Sequence, residues 1–215
     1  FLPGALLRND QGQPPADWDA VTENGRFSPT KYAALYERRL LPSLLFTSQT
    51  AQASGQQALV TLPGLGCGLF AGPFQGQLGE QLKHAVMRLL QKYHEQLGGI
   101  TAVYYDPYSE CQNERHSFGH LSLLVRPLTQ GNQHKPQLCP PTHYAEAGDD
   151  FSNAQLFSFV AWDHVSWPGN DFYVGSRATD DGVKAVATSS MAAMTGIQGR
   201  YQPNSFSYEP PPPYQ

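Results

Sequence analysis

Leu59-Val-Thr-Leu-Pro-Gly-Leu-Gly-Cys-Gly-Leu-Phe-Ala-Gly72 carries the main architectural signal of this chain. An apolar run from Ala58 to Leu62 feeds a glycine-rich loop, and the loop feeds a segment of helical spacing from Leu78 to Leu97. Strand, small-residue loop and helix in that order form a device for holding pyrophosphate. Glycines let the backbone approach the ligand, and free amides of the loop and the helix start face its charge. The string is neither Gly-x-Gly-x-x-Gly nor a loop ending in Gly-Lys-Ser/Thr, so it is not a Rossmann or a Walker signature. A nucleotide diphosphate is therefore the first ligand to consider.

Upstream, residues 1–27 are rich in Pro, Gly, Asn and Asp without a sustained period, and they read as an extension or linker. Ser28-Pro29 has the form of a helix start, an N-cap serine followed by proline at the first helical position. Tyr32, Leu35, Tyr36 and Leu40 mark one face of that helix, which is expected to end near Pro42. The polar stretch Thr47 to Gln57 reads as a loop. Downstream, Leu78, Leu82, Val86, Leu89, Leu90, Tyr93 and Leu97 recur at spacings of three and four until Gly98-Gly99 stops the helix.

Ile100 to Tyr105, Leu121 to Leu128 and Leu156 to Trp162 read as further strands, with Ser109 to Ser117 as polar loop. Gln130 to Asn153 is mostly turn formers, long enough to suggest a functional or poorly ordered loop. A third helix is expected over Val183 to Met194. Alternating strands and helices of this length predict an α/β domain with a central sheet over residues 28–202. The tail, residues 203–215, is rich in proline and is not expected to pack.

Composition narrows the function. The 215 residues with 40% hydrophobic and 12% aromatic content suffice for one substantial core. The net charge of −4 offers no broad basic surface for nucleic acid. Cys67, Cys111 and Cys139 cannot all pair with one another and contain no Cys-x-x-Cys, which argues against a disulfide scaffold or zinc ribbon. No apolar run approaches the roughly 20 residues of a membrane span. The chain starts at Phe1 and reads as a piece of something longer, with any targeting signal outside it.

A second loop, Asp163-His-Val-Ser-Trp-Pro-Gly-Asn-Asp171, continues through Gly175-Ser-Arg177 to Thr179-Asp-Asp-Gly-Val183. It follows a strand, as the glycine loop does, and ligands in open α/β sheets bind where such loops leave the carboxyl ends of strands. Asp163, Asp171 and Asp181 are its candidate catalytic acids. A plainer reading stands beside this one: Asp180 and Asp181 decorate a helix start behind an N-cap Thr179, and the other two serve a turn and a strand end. Arg177 is a candidate for phosphate or carboxylate pairing, or a surface arginine. Trp162, Trp167, Phe172 and Phe70 are candidates for stacking on adenine or walling the ribose, or simply core.

Cys67 lacks a histidine nearby in sequence and reads as a small residue whose amide faces phosphate. His116 and His120 have metal-ligand spacing only on a helix, and their surroundings read as a strand approach, so no metal and no cofactor is expected. Pro211-Pro-Pro-Tyr214 has the form of a short ligand for WW modules, or is incidental.

These residues carry a resemblance. Gly64-Leu-Gly-Cys-Gly-Leu-Phe-Ala-Gly72, followed by a helix with Leu82-Lys83, resembles the diphosphate loop of macrodomains. It resembles in particular the Gly-Cys-Gly-x-Phe-Gly-Gly form of poly(ADP-ribose) glycohydrolases. Gly148-Asp-Asp150 through Phe157-Ser-Phe-Val-Ala-Trp-Asp163, then Gly182-Val-Lys-Ala185, is similar to the other macrodomain signature, with Asp163 where an asparagine is usual. The two signatures occur in reversed order, as in a permuted fold.

With Trp-Pro-Gly-Asn-Asp171 and Arg177-Ala-Thr-Asp-Asp-Gly-Val-Lys184, the chain is similar to MavL-type ADP-ribosylhydrolases, known from Legionella effectors, over roughly residues 28–202. The resemblance implies a macrodomain-like mixed sheet flanked by helices, and a substrate of ADP-ribose on a protein side chain, arginine-linked and on ubiquitin in this subfamily. It implies a secreted effector acting in a host cytosol, or a cytoplasmic protein. It places Asp163, Asp171 and Asp181 around the distal ribose. The ligand contacts it implies are Gly64, Leu65, Gly66, Cys67, Gly68, Leu69, Phe70, Ala71 and Gly72, with Trp162, Asn170, Phe172 and Arg177, and Asp150 or Asp106 at the adenine amine. Two other readings stay open: an ADP-ribose-binding module without turnover, and a metal-dependent phosphoesterase.

Overall fold

The computed structural model describes residues 6–7, 19–22, 25–135, 139–159, 200–202 and 207–209. Two compact units divide at residue 159. The first opens with three short antiparallel strands in the order β1-β3-β2: β1 (Leu6–Leu7), β2 (Asp19–Thr22) and β3 (Gly25–Phe27). Residues 1–27, expected from the sequence to be an ordered extension or linker, contain this small sheet. Its last residue, Phe27, is fully buried, with its ring 4.9 Å from Tyr32 and 6.2 Å from Phe74.

Helix α1 (Pro29–Ala53) starts as expected: Ser28 Oγ accepts the Lys31 amide at 3.2 Å, and Pro29 follows the cap. It does not end at Pro42. The buried stripe Tyr32, Tyr36, Leu40, Leu44, Thr47, Ser48 and Ala51 continues at helical spacing past the proline, which is exposed. Burial of that stripe outweighs the single backbone bond a proline removes. The segment Thr47 to Ala53 is therefore helix and not loop.

The main sheet has five strands in the order β6-β7-β5-β4-β8. These are β4 (Gln57–Pro63), β5 (Ile100–Asp106), β6 (Glu114–Phe118), β7 (Leu121–Val125) and β8 (Ala154–Ser158). All neighbours run parallel except β6, which joins β7 as an antiparallel edge. Helix α2 (Leu78–Tyr93) follows β4, and a 3-10 turn over His94–Leu97 completes the expected helical stretch. Ala58, Val60, Leu62, Val103, Tyr105, Leu123 and Val125 face the core shared with α1 and α2. Leu59, Ala102, Tyr104 and Leu124 alternate onto the opposite face.

That second face is covered by Cys139, Tyr144 and Phe151, so the described part of the Gln130 to Asn153 segment is a packed cover. Ions lock it down. Arg126 grips Glu146 through Nε and Nη2 while donating to the carbonyls of Glu114 and Val125, Lys135 reaches Glu146 at 3.3 Å, and Arg115 pairs bidentately with Asp149. The hydrogen bonds from Arg126 first, and then those from Lys135, hold the Glu146 carboxyl at about 2, well below its usual 4.5.

A depressed carboxylate contributes stability above its unfolded pKa and loses it as pH falls through the folded one. The melting temperature is therefore expected to drop between about pH 4.5 and 2. Glu146→Gln should flatten that drop in a pH series of thermal melts, and an unchanged profile would remove the lock.

Strand β6 corrects the polar-loop reading of Ser109 to Ser117. In the second unit, β9 (Arg200–Gln202) pairs antiparallel with β10 (Ser207–Glu209), so a strand lies inside the tail that was expected not to pack. The expected third helix, Val183 to Met194, and Pro211-Pro-Pro-Tyr214 lie outside the described residues.

Candidate functional site

Four parallel strands bring their carboxyl ends to one edge, and two of the exits touch. Strand β4 ends with Pro63 in register with Asp106 of β5. A Cβ placed on Gly64 would stand 3.3 Å from the Pro107 Cα and 3.2 Å from the Cys67 Cβ. Glycine at 64 thus lets the β4 exit nest against the β5 exit.

The loop itself turns its carbonyls to internal partners. The Leu65 amide donates to the Pro63 carbonyl at 2.8 Å and the Cys67 amide to the Gly64 carbonyl at 3.0 Å. The Leu65 carbonyl accepts the Tyr36 hydroxyl of α1 at 2.6 Å. Gly66 (φ +78°) and Gly68 (φ +63°) adopt the left-handed backbone that the turn requires, and a 3-10 turn runs from Gly68 to Phe74. Among the described residues the amides of Gly66 and Gly68 have no hydrogen-bond partner. Both can donate to an anion, whereas the Cys67 amide is already taken by the Gly64 carbonyl.

The surroundings of Cys67 disfavour the thiolate that a nucleophile needs. Burial first, and then the neighbouring Glu110 carboxylate, push its thiol up to about 12. The start of α2 is occupied as well: the Gly79 amide donates to Glu110 Oε2, and the Tyr105 hydroxyl donates to the Gly79 carbonyl at 2.9 Å. One amide of the helix start that was expected to face phosphate is therefore taken by a carboxylate of the chain.

Asp106 and Asp150 part company. Asp106 lies at the carboxyl edge, with Oδ1 accepting the amides of Tyr108 and Leu128 at 2.9 Å each. Its carboxylate ties the β5 exit to the segment after β7. Asp150 precedes β8, at the amino end of strands that run parallel to β4, and caps Ser152. A strand of seven residues spans about 20 Å, so Asp150 stands at the wrong end for an adenine held near the glycine loop.

Sequence reading missed Tyr108. It sits directly after Asp106-Pro107, with φ +65° and its side chain 45% exposed, an uncommon backbone for a tyrosine. Its amide is held by Asp106, and its carbonyl accepts both the amide and the hydroxyl of Thr129. An aromatic ring is thus presented to solvent at the same edge as the glycine loop. An Asp-Pro turn ending a strand was the available signal.

His116 and His120 do not share a helix. His116 lies in β6 against Glu114 at 2.8 Å, and His120 follows the strand, 3.3 Å from the Leu97 carbonyl. Leu69 and Phe70 have their backbone in the 3-10 turn, with Ala71 and Gly72. Ala71 is buried, and Gly72 has φ +57°. Asp163, Asp171, Asp181, Trp162, Trp167, Asn170, Phe172, Arg177 and Asp180 lie outside the described residues.

A family model described as macrodomain effector MavL matches residues 1–214. The chain belongs to the MavL macrodomain effector family. The mixed five-stranded sheet with flanking helices agrees with a macrodomain, and membership in the MavL family links the chain to ADP-ribose. The MavL match also covers residues 1–27, which the sequence resemblance left out. No curated protein matches the chain significantly. Among the described residues no helix is long and apolar enough to cross a membrane.

Proposed function

We propose that the chain hydrolyses the bond between ADP-ribose and a modified protein side chain, with arginine as the modified residue and ubiquitin as a carrier. One observation carries the reading. β8 lies beside β4 in parallel register, Thr61 opposite Ser158, and the Phe159 amide donates to the Thr61 carbonyl at 2.8 Å. The strand that leads into the acid-bearing stretch of sequence thus ends beside the strand that leads into the glycine loop, which supports the reading.

Cleaving the ribosyl C–N bond builds positive charge at the anomeric carbon, as in glycoside hydrolysis. In the proposed reaction Asp171 takes a proton from water as the oxygen attacks that carbon. Asp163 and Asp181 position the ribose and the departing guanidine, which takes up the proton that Asp171 removed from water and ends as guanidinium. The glycine loop holds the diphosphate through the amides of Gly66 and Gly68, and the Tyr108 ring stacks on the base.

The test is to incubate the chain with arginine-ADP-ribosylated ubiquitin and quantify free ADP-ribose. Release supports the reading. Tight binding without release makes the chain a reader, and EDTA-sensitive formation of AMP makes it a phosphoesterase. Base-aromatic stacking is worth about 1–3 kcal/mol, so Tyr108→Ala is expected to raise the Kd for ADP-ribose about tenfold or more. Titration calorimetry reads this, and an unaltered Kd takes Tyr108 out of the site.

A further inference from the structure

We infer that Tyr36 is a positioning residue of the diphosphate loop: its hydroxyl holds the Leu65 carbonyl against α1 and so keeps a negative dipole off the anion's face. The inference rests on the proposed ADP-ribose site and names the residue that shapes it. Tyr36 comes from α1, 29 positions before Leu65, so the bond is a tertiary tie and not part of the turn. The side chain is 3% exposed, with its ring 4.7 Å from that of Tyr32. Burial pushes the phenol's pKa up, so the group is a neutral donor throughout the physiological range.

The tie matters because of what the loop's other groups do. Pro63 and Gly64 carbonyls are satisfied by amides two and three residues on, within the loop. The Leu65 carbonyl has no such local partner among the described residues, yet it immediately precedes the Gly66 amide in the same peptide unit. The carbonyl and amide of one peptide point in opposite directions. Pinning the Leu65 oxygen inward on Tyr36 therefore turns the Gly66 N–H outward. Without the phenol, rotation of this peptide, hinged at the left-handed Gly66, exchanges a donor for an acceptor where the phosphate charge is met.

Tyr36→Phe keeps the ring packing and deletes only the hydroxyl. Loss of one such oriented bond is expected to raise the Kd for ADP-ribose and for ADP about tenfold. Adenosine binding, followed by ligand-observed NMR, should stay within twofold, and kcat should change less than KM. Tyr32→Phe, which removes the adjacent phenol and leaves the bond to the loop in place, is the control and should bind ADP-ribose as the unmodified chain does. Equal Kd values for ADP-ribose in Tyr36→Phe and the unmodified chain overturn the inference. So does a parallel loss of adenosine and ADP-ribose binding with a lowered melting temperature, which would make the phenol a general structural support. If the unmodified chain fails to bind ADP-ribose, the proposed function itself falls, an outcome distinct from both.

Discussion

Asp171→Asn is expected to lower the rate of ADP-ribose release about 10²–10⁴-fold, the usual contribution of a positioned general base. The substitution preserves shape and hydrogen-bonding capacity and removes the site for the water proton. Binding is expected to survive. The diphosphate gains nothing from a carboxylate nearby, so the Kd for ADP-ribose should hold or tighten while kcat collapses. That split separates a hydrolase from a reader, in which Asp171→Asn leaves no activity to lose. Asp163→Asn and Asp181→Asn, measured on the same arginine-linked substrate, should raise KM as well, because their proposed role is to hold ribose and leaving group. A normal rate in Asp171→Asn beside a dead Asp163→Asn would move the base to Asp163.

Gly99→Ala is expected to cost about 3 kcal/mol, at the upper end for overpacking a tight contact. The Cβ would lie 2.2 Å from the Ser48 carbonyl oxygen and 2.9 Å from its carbon, inside the backbone of α1. The strand entry cannot step aside. The Gly99 amide donates to Ser48 Oγ at 2.9 Å, and its carbonyl accepts the Ala58 amide at 2.7 Å. At roughly 2–4 °C per kcal/mol for a chain of this size, the melting temperature should fall about 6–12 °C. Gly98→Ala is the comparison. Its Cβ would meet the movable Gln52 Nε2 at 3.2 Å, and the variant should melt close to the unmodified chain. Equal melting of the two variants would mean that the α1–β5 crossing yields more easily than its bonds imply.

The sequence shows most clearly those elements whose own residues are apolar. β4, β5, β7 and α2 announce themselves by runs or stripes of Leu, Val and Tyr that fill both faces of the sheet and one face of the helix. The second half of α1 is hidden because its inward positions include Thr47 and Ser48, polar side chains that read as loop. Ser48 is buried there to receive the Gly99 amide, a bond made 51 residues away. β6 is hidden for a different reason. Glu-Arg-His-Ser carries no apolar alternation because an edge strand keeps its charges, and Glu114 meets the buried Lys83 of α2 at 2.7 Å.

The cover over residues 139–151 depends on Arg126, Glu146, Arg115 and Asp149 meeting across the fold, which no local pattern reveals. At the candidate site, the glycine loop and its place after β4 were legible. The capture of the α2 start by Glu110 and the outward Tyr108 ring were not, since both depend on the conformation of the segment after Asp106. Asp163, Asp171 and Asp181 rest on their motif and on the exit of β8 beside β4.

The stretch from Gly64 to Gly72 contains no lysine or arginine, and the start of α2 is already matched by the chain's own Glu110. What this loop contributes to holding a nucleotide comes from neutral dipoles fixed in the backbone. Ion atmospheres weaken attraction between exposed charges far more than bonds of that kind. The share of affinity supplied here should thus vary little with ionic strength, and a spent product meets no cation in the loop to delay its departure.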